Sequence, residues 1–212
     1  MILRFDIITE ADARRIEHGA TVELSPGGHV TPLARDTLNA RRVSVVAAGS
    51  VDPDLSDLAP PAEVRRVAVG SDHTGVSLKN AIVQHLRGRG LAVEDVGTND
   101  ATPVDYPDVA AKVAGAVARR EAEAGIVIDG AGIGSAIAAN KVRGVRAALC
   151  TDESLARYSR EHNGANVMTL GSTLVVSADA AIRIVDIWIG TPMKEARYIR
   201  RLAKIRRLEE TF

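Results

Sequence analysis

The chain has 212 residues, with 27 Lys and Arg balancing 27 Asp and Glu, and 46% of it is hydrophobic, enough for one sizeable core with a small appendage. Zero formal charge excludes the basic surplus of a nucleic-acid binder, and the apolar content excludes a disordered chain. An aromatic fraction of 3% leaves Ala, Val, Ile and Leu to fill the core, and the single cysteine, Cys150, excludes an intramolecular disulfide framework and a multi-cysteine zinc site.

The first residues, Met1-Ile-Leu-Arg-Phe-Asp6, meet an acidic residue before any long apolar run. No signal peptide or membrane span is expected, and the cytoplasm is the expected compartment. Thr9-Glu-Ala-Asp-Ala-Arg-Arg-Ile-Glu17 predicts a short helix, with Thr9 as N-cap and Asp12 three residues on. Thr31-Pro-Leu-Ala-Arg-Asp-Thr-Leu38 repeats that logic, with Pro32 at the first helical position, where its missing N–H does no harm. Val43-Ser-Val-Val46 predicts a strand. Residues 51–63, rich in Pro and Asp and without a sustained period, read as a linker. The domain reading is therefore an α+β appendage over 1–50, a linker over 51–63 and a core domain over 64–212.

Beyond the linker, apolar runs and helical stretches alternate. Strands are expected at 67–70, 92–93, 125–128, 147–150 and 166–170, and helices at 76–86, 109–118, 133–139, 154–161, 178–189 and 193–210. This alternation implies right-handed βαβ units in a doubly wound, Rossmann-like parallel sheet, an α/β fold. Ligands in such sheets bind beyond the carboxyl ends of the strands, so the turns after residues 70, 128, 150 and 170 are the places to search.

The first of these turns, Gly70-Ser-Asp-His-Thr-Gly75, sets Asp72 and His73 where a buried strand opens to solvent; the bland alternative is that Asp72 caps the following helix. The second, Asp129-Gly-Ala-Gly-Ile-Gly-Ser135, has three glycines at alternate positions, which let the backbone approach a ligand and aim N–H groups at a phosphate or a developing oxyanion. Its spacing is G-x-G-x-G, and no suitably placed later acid completes a dinucleotide fingerprint. Asp129 at the loop's entrance is either a structural acceptor for those N–H groups or a general base. His162 and Asn163 follow a helix, where an imidazole can also serve as a cation that complements the helix dipole. Arg197, Arg201 and Lys204 share one face of the last helix, as a solvated stripe or a grip for phosphate.

Taken together, Gly70-Ser-Asp-His-Thr-Gly75, Asp105-Tyr-Pro107, Gly130-Ala-Gly-Ile-Gly134, Ile137-Ala-Ala-Asn-Lys141, Gly144-Val-Arg-Ala147, Glu161-His-Asn163 and the Arg197/Arg201 pair resemble the type B ribose-5-phosphate isomerases and the related galactose-6-phosphate isomerase subunits. The resemblance runs from about residue 66 to 208. It implies an aldose–ketose isomerase for a small phosphorylated sugar, working through an enediolate without metal or other cofactor, as a homodimer or homotetramer with its active sites at subunit interfaces. Carried over by position, it implies that Asp72, His73 and Tyr106 line the sugar site and that Gly130, Ala131, Gly132 and Gly134 supply N–H bonds to the enediolate oxygen. His162 would open the sugar ring with Asn163 beside it, and Arg197 and Arg201 of a neighbouring subunit would hold the phosphate.

Four positions depart from the family pattern. Asp129 stands where many members carry a cysteine base and Ser135 where others carry a glutamate, so these two become the catalytic candidates. The family's ring-opening threonine is here Ala131, and an arginine that often follows the Gly-Ser pair is here Thr173. Loss of a ring-opening hydroxyl suits a four-carbon ketose phosphate that forms no furanose. The alternative reading is a non-catalytic or partner subunit of a heteromeric isomerase. The first 60 residues lie outside this resemblance. Ile8-Thr-Glu-Ala-Asp12 and Val30-Thr-Pro-Leu-Ala-Arg-Asp-Thr-Leu38 are similar to a segment at the front of some bacterial microcompartment-associated enzymes, which implies a shell or cargo partner and a location inside such a compartment. No nucleic-acid or membrane partner is expected.

Overall fold

The computed structural model of the protein describes residues 3–47, 58–61, 63–174, 177–193 and 196–211. The chain divides into two compact units, Met1–Ala59 with Lys194–Arg207 and Pro60–Met193 with Leu208–Phe212. Most of the linker expected at 51–63 lies outside the described residues. Residues 194–207, which the sequence reading assigned to the core domain, group with the N-terminal unit.

The N-terminal unit runs β1 (Arg4–Ile8), α1 (Glu10–Arg15), β2 (Thr21–Val30), α2 (Pro32–Ala40) and β3 (Ser44–Ala47), with the strands in the order β1-β2-β3. Both pairings are parallel, so helices and strands alternate instead of segregating as the α+β description implied. Thr9 and Asp12 form the expected capping box, and the Thr31 side chain accepts from the Ala34 N–H with Pro32 in the first turn. Strands β1 and β2 were not legible in the sequence. The Ser25-Pro-Gly-Gly28 interruption hides β2, because opposite Asp6 the pairing jumps from Phe5–Leu24 to Ile7–His29. A small apolar core of Ile8, Ala13, Ile16, Val22, Ala34 and Leu38 holds this unit together.

The second unit contains β4 (Arg66–Ser71), α3 (Val76–Gly88), β5 (Ala92–Asp95), α4 (Tyr106–Ala118), β6 (Ala124–Asp129), α5 (Ile133–Ala139), β7 (Ala147–Leu149), α6 (Glu153–Glu161), β8 (Val167–Gly171) and α7 (Ala178–Gly190). The last helix, α8 (Ala196–Thr211), has its residues divided between the two units. The five strands are all parallel, in the order β5-β4-β6-β8-β7. Successive residues of a strand face opposite sides: Val67, Val69, Ile126 and Ile128 join one apolar cluster with Ile82, Val185 and Trp188 of α3 and α7. Ala68 and Val127 join the other cluster, with Ala110, Val113 and Val117 of α4. Burying both faces is why these strands read as continuous apolar runs. From β4 the chain first returns through α3 to β5 on one side, then crosses through α4 to β6 on the other. The turns after β4 and β6 therefore lead to helices on opposite faces of the sheet, and the crevice beyond the carboxyl ends of these strands is the position at which doubly wound sheets take ligands.

Candidate active site

The β4 and β6 turns meet at that crevice. The Asp72 N–H donates to the Ile128 carbonyl at 3.0 Å, and a Cβ on Gly75 would lie 2.6 Å from Ile128 Cγ2, so only glycine lets the two turns approach this closely. Asp72 is buried, and its Oδ1 accepts from the Thr74 backbone N–H at 2.9 Å and from the Thr74 hydroxyl at 2.6 Å. It does not cap α3, whose N-cap is Gly75 with no side-chain bond. His73 is half-buried, and its Nδ1 lies 3.3 Å from the Val104 N–H. A backbone N–H only donates, so Nδ1 accepts and Nε2 carries the ring proton of the neutral form. Tyr106 starts α4 and lays its ring against Gly134, where a Cβ would come within 2.5 Å of Cζ.

The glycine loop is organised around Asp129. Its carboxylate is almost fully buried; Oδ1 accepts from the Ala131 N–H at 2.8 Å and from the Gly132 N–H, while Oδ2 accepts from the Ser135 N–H at 2.9 Å and from the Ser135 hydroxyl. Four donors match the roughly four lone-pair positions of a carboxylate. The expectation that this loop offers its N–H groups to an enediolate oxygen is therefore corrected for two of them, since the Ala131 and Gly132 N–H groups already serve Asp129. Gly130 retains space, its nearest neighbour to an added Cβ being Thr74 Oγ1 at 3.8 Å. Gly132 has φ +76°, and a Cβ there would lie 2.5 Å from Leu149 Cδ1 and 2.9 Å from the Leu170 carbonyl carbon.

A third strand end contributes, which the sequence reading left without a role. Beyond β8, the Ser172 N–H donates to the Asp129 carbonyl at 2.8 Å, and Thr173 donates to the Gly130 carbonyl through its N–H at 3.0 Å and through its hydroxyl. Among the described residues, the hydroxyl oxygens of Ser71 and Ser172 are buried without a hydrogen-bond partner, at the ends of two of the strands that build this crevice. Their signal in the sequence was position alone, next to Gly70 and Gly171.

His162 is the C-cap of α6, stacked on Tyr158 with ring centroids 4.9 Å apart, and Asn163 donates from its side chain to the Tyr158 carbonyl at 3.0 Å. Arg197 and Arg201 lie on α8, in the part grouped with residues 1–59; the Arg201 guanidinium sits 5.6 Å from the Tyr198 ring centroid, while the Arg197 side chain is outside the described set. Cys150 is buried behind β7, its Sγ 3.7 Å from the Ser159 hydroxyl, and burial pushes its thiol up to about 11, the wrong direction for a base at neutral pH. Among the described residues, no group of three or more His, Cys, Asp or Glu side chains is placed to hold a metal ion.

A family model described as Ribose/Galactose Isomerase matches residues 67–205. The chain is 43% identical to ribose-5-phosphate isomerase B of Escherichia coli (strain K12) over 147 residues, which cover 69% of this chain and 98% of that protein. Among solved structures, ribose-5-phosphate isomerase B of Clostridium thermocellum is similar with a TM-score of 0.67 and 46% identity, covering 69% of this chain and 98% of that one. The enzyme from Mycoplasma genitalium, solved with bound ribulose-5-phosphate, gives a TM-score of 0.67 at 40% identity and covers 69% and 97% of the two chains.

Proposed function

This chain belongs to the ribose/galactose isomerase family, and from that footing we propose that it interconverts the aldose and ketose forms of a sugar phosphate through an enediolate, with ribose 5-phosphate and ribulose 5-phosphate or a four-carbon analogue as the pair. One observation carries the assignment of roles: a buried carboxylate, Asp129, stands at the crevice between β4 and β6, bonded to the Ser135 hydroxyl. A hydrogen on carbon beside a carbonyl leaves as a proton only when the oxygen that gains the charge is stabilised and a base is in reach.

In this reading the Ser135 hydroxyl rotates from Asp129 Oδ2 toward the substrate, freeing one lone pair of a carboxylate that is otherwise fully engaged. Asp129 then takes the proton from the carbon beside the carbonyl. The C–H electron pair becomes the enediolate double bond, and the carbonyl oxygen takes the negative charge. Return of the proton to the neighbouring carbon, with a proton passing between the two sugar oxygens, completes the exchange. His73, donating through Nε2, and Asp72 hold sugar hydroxyls, Tyr106 and Gly134 line the site, and His162 with Asn163 assists ring opening. Arg197 and Arg201 of a neighbouring subunit hold the phosphate by charge-assisted bonds. Ala131 lacks a hydroxyl to help open a ring, which keeps an acyclic four-carbon phosphate beside the pentose as an alternative substrate.

We assign a homodimer, supported by the exposed apolar side chains of Ile133 and Ile137 on α5, Leu155 and Tyr158 on α6 and Leu174 after β8. Residues 1–59 precede the family match, which begins at residue 67, and are assigned to docking on a protein shell or its cargo. No helix of the described residues is long and apolar enough to cross a membrane, and the reaction is assigned to the cytoplasm or to such a shell.

The test is a panel of four-, five- and six-carbon aldose and ketose phosphates with the wild type and with Asp129→Asn. Turnover of one pair, with kcat lowered at least about a hundredfold by the Asn variant and KM changed little, is the expected result. Wild-type turnover by Asp129→Asn would remove the base role. The saturation of Asp129 by four donors favours a second reading, a subunit that is inactive alone, and that reading expects no turnover of any phosphosugar until a paralogous chain is added.

A further inference from the structure

We propose that Thr173 is a positioning residue for the isomerisation, setting the direction of an N–H group that holds Asp129; the proposal rests on Asp129 being the base. The Gly130 carbonyl and the Ala131 N–H belong to one planar peptide unit, so whatever fixes the oxygen also fixes the hydrogen. Thr173 supplies both fixings, since its backbone N–H donates to Gly130 O at 3.0 Å and its hydroxyl donates to the same oxygen, occupying both lone pairs. On the other side of the same peptide, the Ala131 N–H donates to Asp129 Oδ1 at 2.8 Å.

This plane needs an external hold. It is flanked by Gly130 and, one residue on, by Gly132 at φ +76°, residues with little conformational preference of their own. The neighbouring peptide is pinned in the same way, by the Ser172 N–H donating to the Asp129 carbonyl at 2.8 Å. Gly171 backs directly on the loop, where an added Cβ would lie 2.7 Å from the Ala131 carbonyl. The β8 turn thus grips both peptides that follow Asp129, and the Thr173 hydroxyl is the only part of this grip that a side-chain substitution removes while leaving the backbone bonds in place. The Thr173 side chain is exposed, so its hydroxyl has water as an alternative partner and contributes little to folding.

Thr173→Val keeps the branched shape and loses the hydroxyl; Thr173→Ser keeps the hydroxyl. In the full-length protein, Thr173→Val is expected to lower kcat roughly tenfold with KM within about twofold, because the base is misaimed while the sugar is still bound. Thr173→Ser is expected to restore kcat to within about twofold of wild type, and both variants to melt as the wild type does. Wild-type kcat in Thr173→Val, an equal loss in Thr173→Ser, or a change confined to KM would each overturn the proposal. Asp129→Asn, run beside them, separates the failures: an inactive Asn variant with an unaffected Val variant removes only the role of Thr173, whereas an active Asn variant removes the base on which that role depends.

Discussion

At the scale of single residues, environment outweighs identity. The lone cysteine has the chemistry of a base or nucleophile, yet Cys150 sits fully buried against Ser159, and burial raises its thiol from 9.0 to about 11. In the unfolded chain the thiol ionises first, so between pH 9 and 11 the unfolded state binds fewer protons and stability falls as pH rises. The stabilising share of Cys150 is complete below about pH 9 and lost as pH climbs through 11, amounting to roughly 2 kcal/mol by pH 10.5. Denaturant titrations of wild type and Cys150→Ala at pH 8 and pH 10.5 should show the difference between them narrowing by that amount; a constant difference would contradict it. Asp129 makes the complementary case. Its position beside three glycines was legible in the sequence, and of the two alternatives weighed there, acceptor and base, the structure shows the acceptor. That its carboxylate consumes the Ala131 and Gly132 N–H groups was not legible, because it depends on the loop folding back upon the residue that opens it. Thr173 was visible only as a missing arginine, and its partner is a carbonyl 43 residues away in the chain.

At the scale of elements, the sequence was most readable where one element is buried on both faces. The strands and helices from β4 to α7 fall close to the expected positions, since Val, Ile and Ala runs bounded by glycine leave few alternatives. Several residues that carry the family resemblance prove to join elements. The Asn140 side chain ties the end of α5 to β7 through the Ala147 N–H and carbonyl at 2.9 Å each, and the Asn166 side chain accepts from the Arg146 N–H at 2.8 Å and donates to the Gly144 carbonyl at 2.9 Å. Gly132 is the element-scale residue of the site, the N-cap of α5 in a left-handed conformation. An alanine there meets the Leu170 and Gly171 backbone within 3.0 Å, atoms that do not yield. Gly132→Ala is expected to lower the free energy of unfolding by about 2 to 4 kcal/mol, combining the backbone penalty with overpacking. A loss under about 1 kcal/mol in a urea titration would mean that the loop relaxes.

At the scale of the whole molecule, assembly and the division into units are at issue. Ile133 and Ile137 are each more than half exposed, four residues apart on the helix that begins at the glycine loop, with exposed Leu155 and Tyr158 on α6. Apolar side chains of this size beside the glycine loop suit a subunit interface. Ile137→Asp should convert the species seen by sedimentation equilibrium from dimer to monomer and reduce turnover with it; a monomeric wild type, or an unchanged dimer in the variant, would place the interface elsewhere. The sequence assigns the appendage to residues 1–50 and a linker to 51–63, whereas residues 194–207 also group with residues 1–59. Tyr198 and Leu202, four residues apart on α8, have buried side chains.

The sequence by itself determined the class of fold and the order of the elements from β4 to α7, because these follow from local periodicity, glycine placement and strand ends, all written in consecutive residues. It also determined the family, since the chain covers nearly the whole length of its relatives. Tertiary structure alone decided which N–H groups Asp129 occupies, what the β8 turn grips, that Cys150 is sealed and that residues 194–207 share a unit with the first 59 residues. Each of those depends on atoms far apart in the chain arriving within a few ångströms, where hydrogen-bond partners are exhausted by whichever group reaches them first, and no pattern in neighbouring residues encodes that outcome.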